Sequence, residues 1–267
     1  NKIQKSAVES FGRPVLIFAG AGSGKTHVLT HKIAHLIEKD LVSAPNILAV
    51  TFTNKAAQEM KLRVAKLLKD KNISVNLGTF HSICARILRK EIHHLGYNSD
   101  FSIFDVKDQV SLVKVVLEAM EIPKNYVTPQ EVRHKISHFK NKLISPDEAK
   151  SKAHLVIEKT YAEIYKNYQK ALFENNALDF DDLLILPLQL FDKNPKVLEK
   201  YRKYWQYILV DEYQDTNKPQ FMLIKYLAGS HHQVCVVGDD DQSIYGWRGA
   251  DIRNILDFEK TFKNCEV

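Results

Sequence analysis

The sequence predicts an α/β fold in which a parallel sheet is interrupted by an all-helical inserted domain. Short apolar, β-prone runs alternate with amphipathic helices near both ends of the chain, which is typical of βαβ units. The middle of the chain lacks this alternation and predicts consecutive helices. We therefore expect a core made of residues 1–82 and 193–267, with the insertion over residues 83–192.

The first part of the core alternates strand and helix. Val15–Phe18 is an apolar run followed at once by a glycine-rich turn. Residues 26–38 then carry apolar side chains at helical spacing. Residues 47–52 and 74–79 are the next strand candidates, and a helix is predicted over 56–69 between them. This order favours parallel pairing, because parallel strands need a crossover connection.

The middle segment predicts helices over residues 106–120, 129–142 and 146–174, with proline near the helix starts, where its missing N–H does no harm. The basic run within 133–142 is expected to form a solvated helix face, with contact to duplex phosphates as the alternative. Strands return at residues 207–210 and 234–237, and acidic residues follow each of them.

Composition excludes several classes of protein. The 267 residues include no apolar run of the roughly 18–20 residues that would span a bilayer, so no membrane segment is expected. Three distant cysteines without a CxxC pair argue against a disulfide framework or a zinc site and favour a reducing, cytoplasmic location. The net charge of +6 is only weak evidence for a polyanionic partner.

A glycine-rich loop between a strand and a helix predicts a phosphate site. Its glycines let backbone N–H groups point at phosphate oxygens, and the helix N-terminus adds partial positive charge. Lys25 would reach the β- and γ-phosphates, and the Thr26 hydroxyl would bind Mg²⁺. The loop comprises Ala19, Gly20, Ala21, Gly22, Ser23, Gly24, Lys25 and Thr26, with Ala19 in place of the usual first glycine.

Two adjacent carboxylates, Asp211 and Glu212, follow an apolar strand. Asp211 suits Mg²⁺, and Glu212 can orient and deprotonate the water that attacks the γ-phosphoryl group. Lys25 and Asp211 are 186 positions apart, yet both must approach one Mg–ATP. A compact core does not need so many intervening residues, which independently favours an insertion.

Further motifs occur in an order that resembles the UvrD/Rep/PcrA group of superfamily-one DNA helicases. They are VTFTNKAA (50–57), GTFHS (78–82), VDEYQDTN (210–217) and VGDDDQSIYGWRGA (237–250). The resemblance covers residues 4–250, and the GDDDQSIY string is most similar to the Rep branch of the group. It implies a RecA-like P-loop NTPase core, with residues 175–184 as the return from the inserted domain.

The resemblance also implies roles for individual residues in the ATP site. Gln4 resembles the glutamine that reads the adenine edge. Lys25, Thr26, Asp211 and Glu212 take the roles argued above. Gln214 and Gln242 resemble polar residues near the γ-phosphate that couple its presence to the DNA site, and Gln242 is counted with Lys25 and Glu212 among the catalytic residues.

Single-stranded DNA is the partner that the resemblance implies. A translocase that grips any sequence should use stacking and phosphate contacts, and stacking contributes about 1–3 kcal/mol per base. The aromatic residues expected along the strand path are Phe52, Tyr245 and Trp247. The residues expected to contact the DNA beside them are Thr53, Asn54, Thr79 and His81.

The leading hypothesis is the N-terminal half of a 3′–5′ ATP-dependent helicase that acts on single strands and duplex junctions, with replication or repair proteins as possible partners. The first residue is not Met, so the sequence is expected to be an excised piece that lacks the arginine-bearing second RecA-like domain of the family. The chain alone is therefore expected to hydrolyse ATP poorly, since an arginine finger contributes roughly 10³–10⁵-fold. The alternatives are the motor of a helicase–nuclease and a non-catalytic DNA-binding module.

Overall fold

The computed structural model describes residues 2–20, 22–70, 72, 74–229, 233–239 and 253–267. The chain forms two compact units. Unit 1 comprises Asn1–Ile83 and Asn194–Val267, and unit 2 comprises Cys84–Lys193. Among the described residues, no helix is long and apolar enough to cross a membrane.

Unit 1 alternates helices and strands, as the sequence predicts. Its helices are α1 (Lys2–Glu9), α2 (Lys25–Glu38), α3 (Asn54–Leu68), the start of α4 (Phe80–Glu91), α10 (Pro195–Tyr204), α11 (Lys218–Ala228), α12 (Arg253–Leu256) and α13 (Phe258–Thr261). Its strands are β1 (Val15–Phe18), β2 (Ile47–Thr51), β3 (Asn76–Thr79), β6 (Tyr207–Val210) and β7 (Val234–Gly238).

The strands of unit 1 form one parallel sheet in the order β1-β7-β6-β2-β3. β2, β6 and β7 are buried along their whole length, which explains their continuous apolar sequences. The buried face of α2 packs on this sheet through Leu29, Ile33 and Leu36. The parallel α/β core is therefore confirmed.

Helix α1 was not predicted. It has no fully buried residue, and Ile3 is 82% exposed. Without an apolar stripe facing a core, the sequence offers no strong periodic signal for a helix at this position. Polar contacts join it to the rest of unit 1.

Unit 2 is mostly helical and has its own cores. It contains the rest of α4, α5 (Val106–Ala119), α6 (Pro129–Asn141), α7 (Pro146–Ser151), α8 (Val156–Glu174), α9 (Asp182–Lys193), β4 (Ser102–Phe104) and β5 (Ala177–Asp179). One apolar cluster centres on Val113, Val132 and Ile164, and a second on Leu88 and Leu183.

The expectation of an all-helical insertion is wrong in one respect, because β4 and β5 pair as a parallel two-stranded sheet. Each strand has only three residues, too few to show a two-residue hydrophobic period. Their pairing joins segments about 75 residues apart, with Ser102 opposite Ala177. Only the tertiary fold brings these short segments together.

The single helix predicted over residues 146–174 is two helices, α7 and α8. The backbone N–H groups of His154 and Leu155 donate to the Glu158 carboxylate at 2.8 and 3.1 Å. Glu158 therefore satisfies N–H groups at the start of a new helix. Apolar spacing does not reveal such a restart, because it can continue across the break.

A buried ionic network joins α6 to β5 and α9 within unit 2. Lys140 Nζ lies 2.6 Å from Asp179 Oδ2 and 2.7 Å from Asp182 Oδ1, and the Tyr168 hydroxyl donates to Asp179 at 3.1 Å. Lys140 is 1% exposed. The expectation of a solvated basic face over 133–142 is therefore wrong for this residue, because it neutralises buried carboxylates instead.

Candidate functional site

The parallel sheet of unit 1 collects the candidate residues at its carboxyl edge, where ligands of open α/β sheets bind. The glycine-rich loop follows β1, Asp211 follows β6, and Asp239 follows β7. Phe52 follows β2, and His81 comes just after β3. Among the described residues, the strand order thus places most nucleotide candidates after β1, β6 and β7, and the DNA candidates at the ends of β2 and β3.

The glycine-rich loop is closed by its own hydrogen bonds. The backbone N–H and hydroxyl of Ser23 donate to the Gly20 carbonyl at 3.2 and 2.6 Å, and the Ala19 N–H donates to the Gly238 carbonyl at 3.0 Å. Gly24 precedes α2 in the left-handed conformation, with φ of 88°. This conformation favours glycine, and it starts the helix beneath the loop.

Lys25 extends between carboxylates from two strands. Its Nζ lies 3.4 Å from Glu212 Oε2 and 3.8 Å from Asp239 Oδ2, and its side chain is only 10% exposed. Asp239 was not predicted as a site residue. Its position directly after an apolar strand, like that of Asp211, is the signal that could have identified it.

Thr26 and Asp211 meet across the site. The Thr26 hydroxyl donates to Asp211 Oδ2 at 3.3 Å. Burial, followed by the charge of Glu212, raises the pKa of Asp211 to about 6. No group of three or more potential His, Cys, Asp or Glu metal ligands occurs in the described part of the chain. Adjacent hydroxyl and carboxylate oxygens nevertheless fit Mg²⁺, which is usually held by one or two carboxylates together with substrate phosphates.

Glu212 is fixed by backbone and side-chain contacts. It adopts a left-handed conformation, with φ of 48°, which is uncommon for a residue other than glycine. Its carboxylate accepts a hydrogen bond from Gln214 Nε2 at 2.8 Å, and Gln214 Oε1 accepts one from the Asp239 N–H at 3.0 Å. Gln214 therefore links the acidic ends of β6 and β7.

Gly238 lies close to the side chain of Gln214. A Cβ atom at this position would lie 2.8 Å from Gln214 Oε1 and 2.5 Å from Ile255 Cδ1. Both distances are shorter than normal contacts, so any side chain would displace a neighbour. The glycine lets the bridging amide reach the end of β7.

Gln4 lies beside the glycine-rich loop. Its side-chain amide donates to the Ser23 carbonyl at 3.0 Å. A Cβ atom on Gly24 would lie 3.3 Å from the same amide nitrogen. The residue predicted to read adenine thus lies against the loop predicted to hold phosphates.

The DNA candidates that follow β2 and β3 are neighbours, because Thr51 pairs with Thr79 in the sheet. The half-buried Phe52 ring packs edge-on against Phe80, with 5.7 Å between ring centres. The Thr53 hydroxyl caps α3 by accepting from the Ala56 N–H at 3.1 Å, and Asn54 is exposed at the first position of that helix.

Thr79 and His81 lie at the junction of β3 and α4. The Thr79 hydroxyl accepts from the Ser82 N–H at 3.2 Å, so it helps to start the helix. Burial lowers the pKa of His81 to about 4. His81 is therefore neutral near pH 7 and can offer a hydrogen bond, but not a positive charge, to a phosphate.

Four predicted site residues lie outside the described residues: Ala21, Gln242, Tyr245 and Trp247. Every other predicted residue of the nucleotide site lies at the carboxyl edge of the unit 1 sheet or, like Gln4, against its loop.

The known proteins to which this chain is similar are helicases. Residues 1–263 match the model of the UvrD/REP helicase N-terminal domain. The chain is 49% identical over 267 residues to the ATP-dependent DNA helicase PcrA of Bacillus subtilis (strain 168), and 50% identical to that of Staphylococcus aureus (strain Mu50). These matches cover 100% of this chain but only 36% and 37% of the relatives' lengths.

Proposed function

The chain belongs to the UvrD/REP helicase N-terminal domain family, and we propose that it supplies the Mg–ATP site and part of the single-strand DNA grip of a 3′–5′ helicase. In this proposal, unit 1 is the RecA-like core and unit 2 is the inserted domain. The partners are single-stranded DNA, duplex junctions, a second RecA-like domain and proteins of replication or repair.

One observation carries the proposal. Thr26 and Asp211 are 185 positions apart in sequence, yet their side chains are hydrogen-bonded. Lys25 and Glu212 likewise meet at 3.4 Å over a separation of 187 positions. A phosphate loop brought against two carboxylates is the arrangement required for transfer of a γ-phosphoryl group to water.

Lys25 would bind the β- and γ-phosphates. Its ammonium already faces Glu212 and Asp239, so incoming phosphates would compete with carboxylates for the same cation. Thr26 and Asp211 would hold Mg²⁺, which when bound would neutralise charge on the phosphate oxygens. The protein would therefore provide the Lys25 ammonium as a fixed cation, and Thr26 and Asp211 as ligands for Mg²⁺.

Glu212 would orient the attacking water and accept its proton. Its contacts with Gln214 and Lys25 orient the carboxylate. Because Gln214 also accepts from the backbone of Asp239, a shift at either strand end would move the proposed base. Gln242 is proposed to act beside these residues.

The DNA grip would use the ends of β2 and β3. Phe52 offers a half-exposed ring, and Thr53, Asn54, Thr79 and His81 offer neutral polar groups at the same two strand ends. Tyr245 and Trp247 are proposed to complete the stacking surface. Such a surface would accept any base, because every base has an aromatic face.

The test is DNA-stimulated ATP hydrolysis by the full-length protein. Lys25→Ala and Glu212→Gln should each lower kcat by about 100-fold or more, because they remove a phosphate-binding cation and a general base. Lys39→Ala and Glu38→Gln alter exposed residues at the end of α2 and serve as matched controls.

Wild-type turnover in either site variant would contradict the assigned role of that residue. DNA binding without any ATP hydrolysis by the wild-type protein would instead favour a non-catalytic DNA-binding module.

A further inference from the structure

Lys32 is a buried lysine on the helix that follows the phosphate loop. It lies two turns after Lys25 on α2, and its residue exposure is 0%. Its ammonium lies 5.8 Å from the centre of the Tyr207 ring. Removing an ammonium group from water is costly, and an apolar side chain such as Met would fill the same space without that cost. The charge therefore requires an explanation other than packing.

The Lys32 ammonium points at the carboxyl end of α1. It donates to the carbonyls of Ser10 at 2.6 Å, Ala7 at 2.8 Å and Val8 at 3.5 Å. These carbonyls lie at the end of a helix, where backbone acceptors lack intrahelical partners and partial negative charge accumulates. Three N–H donors on one cation match three such acceptors.

Helix α1 packs beside α2 but buries little apolar surface. None of its residues is fully buried. The Ser10 hydroxyl just beyond the helix donates to Glu266 at 2.6 Å, and the Gln4 amide donates to the Ser23 carbonyl at 3.0 Å. Because apolar burial is small, polar contacts should dominate the position of α1 on unit 1.

Gln4 lies on α1, so the position of α1 sets the position of Gln4 at the phosphate loop. We propose that Lys32 is a positioning residue that fastens α1 and thereby holds Gln4 where it can recognise the base of the nucleotide. This inference rests on the proposed ATP site and adds a specificity role for a residue that does not touch the substrate.

The experiment compares Lys32→Met with wild type in the full-length protein. Amide hydrogen exchange is measured over residues 2–9, with residues 54–68 of α3 as an internal reference. Affinities for ATP and GTP are measured in parallel by competition with a fluorescent nucleotide. Lys39→Met, which changes an exposed lysine at the end of α2, is the matched control.

The expected result is exchange in α1 at least about tenfold faster, with α3 unchanged. The preference for ATP over GTP should fall about fivefold or more. Most of this change should come from weaker binding of ATP, with little change in the binding of GTP. Gln4→Ala should lose the same preference, and the double variant should lose no more, because both changes act through one contact. Lys32→Arg, which keeps a charged donor, should recover part of the preference.

Unchanged exchange in α1 would overturn the proposal, and so would faster exchange with an unchanged preference for ATP. An equal loss of affinity for both nucleotides would also overturn it, since that points to the phosphate loop rather than to base recognition. If Lys32→Met does not fold, Lys32→Gln decides by the same readouts. Absence of nucleotide binding in wild type would instead be a failure of the proposed function.

Discussion

At the scale of single residues, Asp211 and Glu212 place two adjacent carboxylates at the end of β6. Asp211 is buried, and Glu212 adds a second negative charge beside it. Both effects favour the protonated form of Asp211, and its pKa rises to about 6. A cation at this position would relieve that unfavourable charge.

Asp211 should therefore make the metal-free protein less stable at neutral pH. Its pKa is about 6 when folded, against 3.8 ordinarily, so the stability linked to its protonation is complete below about pH 4 and lost as pH rises through about 6. Asp211→Asn should raise the free energy of unfolding at pH 7 by up to roughly 3 kcal/mol, given about 1.4 kcal/mol per pKa unit.

The measurement is urea unfolding at pH 4, 5.5 and 7 without divalent metal. The gain in the free energy of unfolding of Asp211→Asn should vanish at pH 4. Asp70→Asn, which changes an exposed residue, should show no such dependence on pH. A pH-independent difference would show that burial of the charge is not the cause.

At the scale of elements, two buried lysines, Lys32 and Lys140, each attach a helix to its neighbours. Lys32 holds α1 through backbone carbonyls, whereas Lys140 holds α6 through the carboxylates of Asp179 and Asp182. Burial alone would lower the pKa of Lys140, but the two carboxylates outweigh it and raise that pKa above its ordinary value. Lys140 therefore remains charged at any physiological pH.

Replacing Lys140 should destabilise unit 2 selectively. Lys140→Met would leave two buried carboxylates without their cation, which typically costs about 3–5 kcal/mol. We expect faster amide exchange in α6 and α8, while β2 and β6 of unit 1 keep their protection. Lys135→Met, on the same helix but partly exposed, is the control. Equal exchange in the two variants would contradict a structural role for the network.

At the scale of the molecule, the sheet order predicts coupling between nucleotide and DNA. β6, which carries Asp211, lies beside β2, which leads to Phe52, and the Asp211 N–H donates to the Val50 carbonyl at 3.0 Å. We therefore expect a change at one strand end to affect the next strand. The two proposed sites share one edge of one sheet.

A non-hydrolysable ATP analogue should change single-strand affinity, and single-stranded DNA should change nucleotide affinity by the same factor, about 5–150-fold. Both are measured by fluorescence titration at one fixed salt concentration. Phe52→Ala should weaken DNA binding, whereas Tyr204→Ala, which removes an exposed ring before β6, should not. If neither ligand changes the affinity for the other, coupling through the sheet is contradicted.

The sequence predicted most of the core because its signals are local. Apolar runs marked β1 and β6 at the bounds found in the structure, and the glycine-rich loop and the Asp211–Glu212 pair stand at strand ends, as expected. The predictions for Tyr245, Trp247 and Gln242 fall outside the described residues and remain predictions.

The sequence by itself determined the parallel α/β core, because its strand and helix patterns depend on neighbours within a few positions. The bounds of the insertion and the residues of the phosphate site are predictions of the sequence. Only the tertiary structure decided the strand order, the β4–β5 pair and the roles of Asp239, Lys32 and Lys140. Those depend on contacts between segments far apart in the chain. A lysine has the same local pattern whether it faces water, three carbonyls or two carboxylates, and only the fold distinguishes these environments.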